Sequence, residues 1–366
     1  MKFSLYIWAI YLLVFPFYVF SEGNPQIADI FGAFLVAINI REIITSISAN
    51  RFTKNLFLFV VYTIIVNTIW LLIIGEIKII KNSVFYLYSF FLMLFVFNRL
   101  NDKTFLLFTY RALAISVIIQ FVCWPFLQSQ GVRTQMFFNN PNQLALWGVC
   151  LLVIIYTLTR FIKLSFLQLF IPLVLTSVFI IISASRAALL GCIVFWLFFI
   201  IKSRRHFIVF SIVSVIAFIF INYNFDIDLK NVAALEYNME RFTTNSLSSN
   251  QSFGGRGYGR IVEYPQYLVL GAGEGAFWRF NENLELHSNL PNILFCYGLV
   301  GLLIYLGAFL VFFKGMTKEV LAVLFVLAFF GGVHMTMRIP IYWIALLFVV
   351  YLHEEKLRKS NLLSTD

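Results

Sequence analysis

The sequence predicts an all-α fold, a polytopic bundle of transmembrane helices, and two observations support this prediction. First, 61% of the 366 residues are hydrophobic and only 12% are charged, whereas soluble domains carry about 25% charged residues. The mean hydropathy is accordingly high, at +0.88. Second, the apolar residues fall into separate runs, many of them close to the roughly 20 residues that a helix needs to cross a bilayer. A bundle that faces lipid explains both observations.

About twelve of these runs are candidate spans. The N-terminal run MKFSLYIWAIYLLVFPFYVF lacks a small-residue cleavage site, so we interpret it as the first span rather than as a signal peptide. Internal repeats and a second soluble domain are not evident, and residues 1–366 are interpreted as one integral membrane domain. The predicted spans are 3–21, 25–41, 55–75, 83–98, 104–127, 140–158, 165–183, 186–201, 206–223, 289–313, 318–337 and 339–352.

The basic residues predict the orientation of the chain. A net charge of +10 would suggest a nucleic-acid partner for a soluble protein, but here the lysines and arginines lie mostly between the apolar runs. When both termini are placed in the cytoplasm, the short inner loops carry most of these residues, as the positive-inside rule requires. The four cysteines lie inside apolar runs, which is typical of packed thiols. We find no metal-ligand spacing and therefore expect metal-independent chemistry without a cofactor.

The segment 224–288 is the long loop of the sequence, and parity places it outside. Loops of this length in a compact protein are usually functional or disordered. The aromatic stretches VEYPQYL and GAFWRF favour packing, so we predict a small helical cap over the membrane domain. We interpret GAGEG as a tight turn in this cap, because the strand–turn–helix context of a nucleotide-binding loop is missing around it.

Polar residues collect at the predicted outer face. Arg186 begins a span in SASRAALLG, Arg256 and Arg260 lie in the long loop, Asn142 lies in NNPNQ, and Arg338 lies in the last outer turn. Guanidinium groups stay charged, and one group can bind two phosphate oxygens at once through two N–H donors. We therefore predict a site for a phosphate-bearing ligand at this membrane surface.

His287, in the stretch ELHSN, is the predicted general base of this site. Histidine commonly fills this role near neutral pH. Glu285 or Asn289 is expected to orient its imidazole. By contrast, His334 is expected to support Arg338 or to cap a turn.

Simpler interpretations remain open for several of these residues. Arg186 could lie at a helix end with its charge directed to the interface, and the Asn-Pro-Asn run could serve only as a helix cap. His287 could cap the tenth span. One of Arg256 and Arg260 could be an ion-pair partner of Glu263 or Glu274.

The order of these motifs resembles the O-antigen ligase/polymerase superfamily, from about residue 130 to about residue 345. Asn-Pro-Asn, Ser-x-Ser-Arg, a Gly-Arg in a long outer loop, GAGEG and a final His-Ser before YGLVGLLIYL follow one another. The members are integral membrane glycosyltransferases of GT-C type, the Wzy polymerases and WaaL ligases. The resemblance implies that Arg186 and Arg256 or Arg260 hold the diphosphate of an undecaprenyl-diphosphate-linked glycan, and that His287 activates the acceptor hydroxyl.

The resemblance also implies a location and a reaction. We expect a multi-pass protein of the bacterial inner membrane whose active site faces the periplasm. Ligases tend to have His-Asn where this chain has His287-Ser288, which favours a Wzy-type polymerase of O-antigen or exopolysaccharide repeat units that inverts the anomeric carbon. The alternatives are a ligase that transfers the glycan to lipid A core, or a lipid-linked glycan flippase. A chain-length regulator is a candidate partner, and a nucleic acid is not expected.

Overall fold

Long helices form almost all of the regular structure. The structure, a computed structural model, describes residues 2–127, 133–201, 256–281 and 285–363. Every regular element in these ranges is helical, which confirms the predicted all-α class. The helices are α1 Lys2–Val14, α2 Ile27–Ile38, α3 Ile40–Thr45, α4 Arg51–Ile74, α5 Lys78–Phe97, α6 Lys103–Cys123, α7 Pro141–Leu158, α8 Phe166–Ser183, α9 Arg186–Ile201, α10 Gly259–Glu263, α11 Asn289–Phe309, α12 Lys318–Val333 and α13 Pro340–Leu363. Short 3₁₀ turns follow α6, α10 and α11, and a further 3₁₀ turn spans Phe277–Phe280.

Six helical stretches are long enough and apolar enough to cross a membrane, in agreement with a multi-pass membrane protein. α1, α2 and α9 are apolar but shorter. The predicted ninth span, 206–223, lies outside the described residues, so the total of about twelve spans stays a prediction. The six stretches are Arg51–Ile74, Lys78–Phe97, Lys103–Phe126, Pro141–Leu158, Phe166–Ser183 and Asn289–Phe313.

The first helix is shorter than the sequence predicted. The expected span 3–21 ends as a helix at Val14, because Pro16 cannot donate to the helical ladder and disfavours a helical residue before it. Instead, the chain turns around Gln26, whose Oε1 accepts hydrogen bonds from the backbone N–H groups of Val19 and Phe20, each at 3.0 Å. The apolar run was therefore interpreted correctly as helical at its start and wrongly at its end.

The helix ends gather at two faces of the bundle. At one of them, Glu319 at the start of α12 bonds Arg160, which follows α7, and Lys356 of α13, with the Lys356 contact at 3.0 Å. Arg99, after α5, pairs there with Glu42 of α3 at 3.0 Å. We call this end the basic face, because it is the end at which the sequence concentrates lysine and arginine. The other end carries the cavity described below and is called the cavity face.

The chain that precedes α11 enters the bundle and pairs with an interruption in that helix. Gly298 has φ 68° and ψ −176°, which breaks α11. The N–H of Ala272 donates to the carbonyl of Phe295 at 2.9 Å, and the N–H of Leu299 donates to the carbonyl of Leu268 at 2.7 Å. Segment 268–273 thus satisfies backbone groups that the break would otherwise leave unpaired in an apolar environment.

This arrangement corrects the interpretation of GAGEG. The turn itself is confirmed, since Gly271, Gly273 and Gly275 all have positive φ angles. However, it lies between helices instead of in an external cap, and Glu274 is fully buried. Of the predicted helical cap, the described part is the five-residue α10 and two 3₁₀ turns. Residues 224–255 lie outside the described ranges.

Replacing Gly298 with Ala should destabilise the protein. A Cβ at this position would overlap the carbonyl oxygen of Val269, and the φ and ψ angles belong to a region that is essentially restricted to glycine. We expect a loss of about 2–4 kcal/mol in the free energy of unfolding, measured as a lower Tm in detergent. Gly332→Ala is the matched control because nothing lies within 4 Å of its added Cβ. Equal Tm values for the two variants would contradict the pairing at the break.

Candidate active site

A cavity of about 650 Å³ opens at the cavity face. It lies between the α1–α2 loop, the N-terminal ends of α5 and α7, and segments 285–287 and 334–340. Its wall combines carboxylates, amides, imidazoles and aromatic rings. The polar and aromatic lining residues include Glu22, Asn24, Asp29, Asn82, Asn140, Asn142, Gln143, Phe277, Glu285, His287, His334 and Arg338. Such a wall offers hydrogen bonds to hydroxyl groups and ring faces for apolar contact.

His287 lies exposed in this cavity, and one of its ring nitrogens has a defined partner. Nδ1 is 2.7 Å from the backbone carbonyl oxygen of Glu285. A carbonyl oxygen can only accept, so Nδ1 must carry the proton in this contact. In the neutral ring, Nε2 is then the nitrogen with the lone pair, and it can accept a proton.

The structure changes the contacts that were predicted to orient the His287 imidazole. Glu285 does fix the imidazole, but it does so through its main chain while its carboxylate binds Arg338. Asn289 bonds elsewhere: its amide donates to the hydroxyl of Thr336 at 2.7 Å and accepts from the backbone N–H of Thr336 at 2.8 Å. This pair of bonds joins the start of α11 to the segment before α13.

Arg338 binds two carboxylates at once. Its Nη1 donates to Glu285 Oε1 at 2.9 Å and its Nη2 donates to Glu274 Oε1 at 2.7 Å, while Nη2 also contacts Glu285 Oε2. Burial lowers the pKa of Arg338, but Glu274 and Glu285 more than reverse this effect and hold it well above the ordinary value. In the structure the guanidinium is therefore engaged by carboxylates, and the predicted diphosphate contact of Arg338 stays a prediction.

Glu274 is a buried carboxylate whose acceptor positions are filled. Tyr86 and Tyr297 donate to Oε2 at 2.7 and 2.6 Å. Asn292 donates to Oε1 at 3.1 Å, alongside Arg338. A carboxylate offers about four lone-pair sites, and a buried charge is tolerated only when it is paired and hydrogen-bonded. Glu274 therefore joins α5, α11 and the segment before α13 at one point.

The N-terminal end of α7 forms the opposite wall of the cavity. Asn140 caps this helix by accepting from the N–H of Gln143 at 3.0 Å, and its own amide donates to Glu22 at 2.7 Å. Asn142 accepts from Arg133 at 2.9 Å, and Arg133 also donates to the carbonyl of Ser183 at 3.1 Å. Asn140 thus caps α7, as expected, while a role of this motif beyond capping stays a prediction. Arg133 connects the motif to the start of Ser-Ala-Ser-Arg.

The three arginines predicted to hold the diphosphate are not among the lining residues of the cavity within the described chain. Arg256 donates to the carbonyl of Val333 at 3.2 Å. Arg260 is 1% exposed and lies over the ring of lining residue Phe277, at 5.4 Å. Arg186 is half-buried as the first residue of α9. Arg260 thus contacts a residue that lines the cavity, and Arg256 contacts Val333, the neighbour of lining residue His334.

His334 is the second imidazole of the cavity and follows the last residue of α12. Burial, then Arg256, His287 and Arg133, lower the pKa of His334 from 6.5 to about 4. His334 is therefore uncharged near neutral pH. Its ring packs on Phe330 with a centroid separation of 4.7 Å, which places it in the wall as a neutral polar group.

Metal ligands were not expected in this site. Among residues 2–127, 133–201, 256–281 and 285–363, no group of three or more His, Cys, Asp or Glu side chains could hold a metal ion. Metal-independent chemistry stays a prediction.

Comparisons with known proteins leave the family open. No protein-family model matches the sequence, and no curated protein matches it. Membership of the O-antigen ligase/polymerase superfamily is therefore a proposal, and its support has to come from the geometry of the site.

Sequence reasoning missed Glu274, Arg133 and Glu22 as parts of the site. One signal was present for Glu274: Asn67 is a polar residue inside the apolar run 55–75, and polar residues within spans are usually functional. The Oδ1 of Asn67 accepts from the backbone N–H of Glu274 at 2.8 Å. The partner of that amide is distant in sequence, so the run itself could not reveal it.

The low pKa of His334 predicts a loss of stability in acid. In the unfolded chain the ring has its ordinary pKa of 6.5, against about 4 in the folded protein. As the pH falls between these values, the unfolded state binds a proton that the folded state does not, so the free energy of unfolding decreases. We expect the Tm in detergent to fall between pH 7.5 and about pH 5. His334→Gln should reduce this fall, and an equal fall in both proteins would contradict the assignment.

Proposed function

We propose that the protein is a membrane glycosyltransferase that polymerises undecaprenyl-diphosphate-linked oligosaccharide repeat units, in the manner of Wzy polymerases. The product would be O-antigen or another exopolysaccharide, made at the periplasmic face of the bacterial inner membrane. One lipid-linked glycan serves as donor and a second as acceptor. The cavity face corresponds to the periplasmic face, because lysines and arginines concentrate at the other end of the bundle.

The geometry of His287 carries this proposal. Its Nδ1 donates to the carbonyl of Glu285, which leaves Nε2 as proton acceptor in a cavity with a polar and aromatic wall. A base on the acceptor side accelerates glycosyl transfer to a hydroxyl group. A cavity of about 650 Å³ lies within the usual range of small-ligand sites, about 300–1,000 Å³.

The proposed reaction is a single displacement. The acceptor hydroxyl oxygen forms a bond to the anomeric carbon of the donor while His287 Nε2 takes its proton. The bond between that carbon and the diphosphate oxygen breaks, and undecaprenyl diphosphate leaves with the electron pair. Attack opposite the leaving group inverts the anomeric carbon. We assign Arg186 and Arg256 or Arg260 to the developing negative charge, which fixed cations stabilise effectively in a water-poor site.

Glu22, Asn140 and Gln143 fit the acceptor side of this scheme. Asn140 and Gln143 both direct amide donors to the Glu22 carboxylate, at 2.7 and 3.4 Å. Carboxylates and amides in one wall present several hydrogen-bond acceptors and donors to sugar hydroxyl groups.

A flippase is the second candidate, because one observation favours it. Transporters often place substrate at interrupted helices, and α11 is interrupted at Gly298. In this chain, however, the interruption is filled by backbone of segment 268–273. Purified protein in liposomes with lipid-diphosphate repeat units distinguishes the candidates. Glycan ladders indicate a polymerase, transfer to lipid A core indicates a ligase, and movement of the lipid without new bonds indicates a flippase.

Replacing His287 with Ala should abolish chain elongation. We expect a loss of at least about 100-fold in elongation rate, the usual contribution of a general base. Polymer length and rate can be measured by gel electrophoresis of the reaction products. Leu290→Ala, an exposed position on the following turn, is the control and should leave the rate unchanged. Normal polymer from a folded His287→Ala protein would refute the assigned base.

A further inference from the structure

We propose that Arg338 is a positioning residue, which fixes the orientation and tautomer of His287 by joining the buried Glu274 to Glu285. We call Glu274, Arg338 and Glu285 the Arg338 cluster. The inference deepens the proposed function and rests on it for its catalytic meaning. It replaces the predicted role of Arg338 as a diphosphate ligand.

The first step is that Glu274 is immobile. Its side chain has no solvent exposure, and Tyr86, Tyr297 and Asn292 donate to it from α5 and α11. Its backbone N–H is bonded as well, to Asn67 of α4. A rotation of the carboxylate would leave buried donors without an acceptor, so Glu274 provides a fixed point in the bundle.

The second step rests on the planar shape of the Arg338 guanidinium group. One edge of Arg338, Nε and Nη2, donates to Glu274 Oε1 at 3.2 and 2.7 Å. The other edge, Nη1 and Nη2, binds both oxygens of Glu285. Because the donors form a rigid fork, the position of Glu274 determines the position of the Glu285 carboxylate.

The third step is that His287 lies between two restrained residues. Glu285, two positions before it, is bound to Arg338, and the carbonyl of Glu285 receives the His287 Nδ1–H. Asn289, two positions after it, exchanges two hydrogen bonds with Thr336. Both restraints come from the short segment that holds Thr336 and Arg338, so this segment sets the backbone around the imidazole.

The charges of the cluster argue against a phosphate contact at Arg338. Two carboxylates surround one guanidinium, so the cluster has no excess positive charge to offer an anion. A diphosphate that bound Arg338 would have to displace Glu274 or Glu285. Displacing Glu274 would leave a buried carboxylate without its counter-ion, which is strongly unfavourable.

The tautomer of His287 is a direct readout of this arrangement. Free neutral imidazole side chains favour the proton on Nε2, whereas the structure places it on Nδ1. ¹⁵N NMR of protein labelled only at histidine distinguishes protonated from unprotonated ring nitrogens. The chain has only 4 histidines, and His287→Gln identifies the signals of interest.

The experiment compares wild type with Arg338→Gln, Arg338→Lys and Glu285→Gln. In wild type at a pH where the ring is neutral, we expect an unprotonated Nε2. In Arg338→Gln the signal should shift toward the Nε2–H tautomer, and the elongation rate should fall by about 100-fold, as for misplaced catalytic groups. Arg338→Lys should not restore the wild-type tautomer or elongation rate, because an ammonium group lacks the planar fork of donors. Glu285→Gln is the second test variant in case the Arg338 variants fail to fold, because the Glu285 side chain is 37% exposed. This variant should shift the His287 signal in the same direction.

Arg160→Gln is the matched control, since Arg160 also bonds a largely buried glutamate, Glu319, but at the basic face. It should leave the His287 signals unchanged. Unaltered tautomer and rate in folded Arg338→Gln or Glu285→Gln would overturn the inference. If wild type shows the Nδ1–H tautomer but transfers no sugar, the proposed function fails while the positioning role stands.

Discussion

The interaction between Arg338 and Glu274 is the constraint on which the site depends. A carboxylate without solvent exposure must be compensated, and in this protein the compensation comes from three segments of the chain at once. Tyr86 of α5, Asn292 and Tyr297 of α11 and Arg338 before α13 all donate to Glu274. Arg338 also binds Glu285. The arginine that compensates the buried charge of Glu274 therefore also holds Glu285 at the edge of the cavity.

The break in α11 makes this interaction possible. Gly298 interrupts the helix and segment 268–273 fills the interruption with its own backbone bonds. Glu274 follows directly and enters the bundle at the level of Asn67. Part of the long loop, including Glu274, therefore lies inside the helical domain. This explains how a loop connected to the membrane domain at both ends can hold an imidazole in one orientation.

The sequence predicted the helical class and the positions of helices such as α4, α7 and α8, because these depend on local apolar runs. The membrane face that carries the site, predicted from the distribution of charge, stays a prediction. Predicted span 186–201 coincides with α9. The partners within the site could not be predicted in the same way. Glu274 and Arg338 are 64 positions apart, and nothing local distinguishes a phosphate-binding arginine from one that binds carboxylates. Glu285 or Asn289 was expected to orient His287, and the contact is made by the backbone carbonyl of Glu285, not by its carboxylate.

An experimental structure with an undecaprenyl-diphosphate donor analogue and an acceptor glycan bound tests the account most directly. We predict that the acceptor hydroxyl lies about 2.6–3.2 Å from Nε2 of His287, with the diphosphate near Arg186 and Arg256 or Arg260 and with Arg338 still bonded to Glu274 and Glu285. A diphosphate bound to Arg338 in place of these carboxylates, or a glycan outside the cavity, would contradict it.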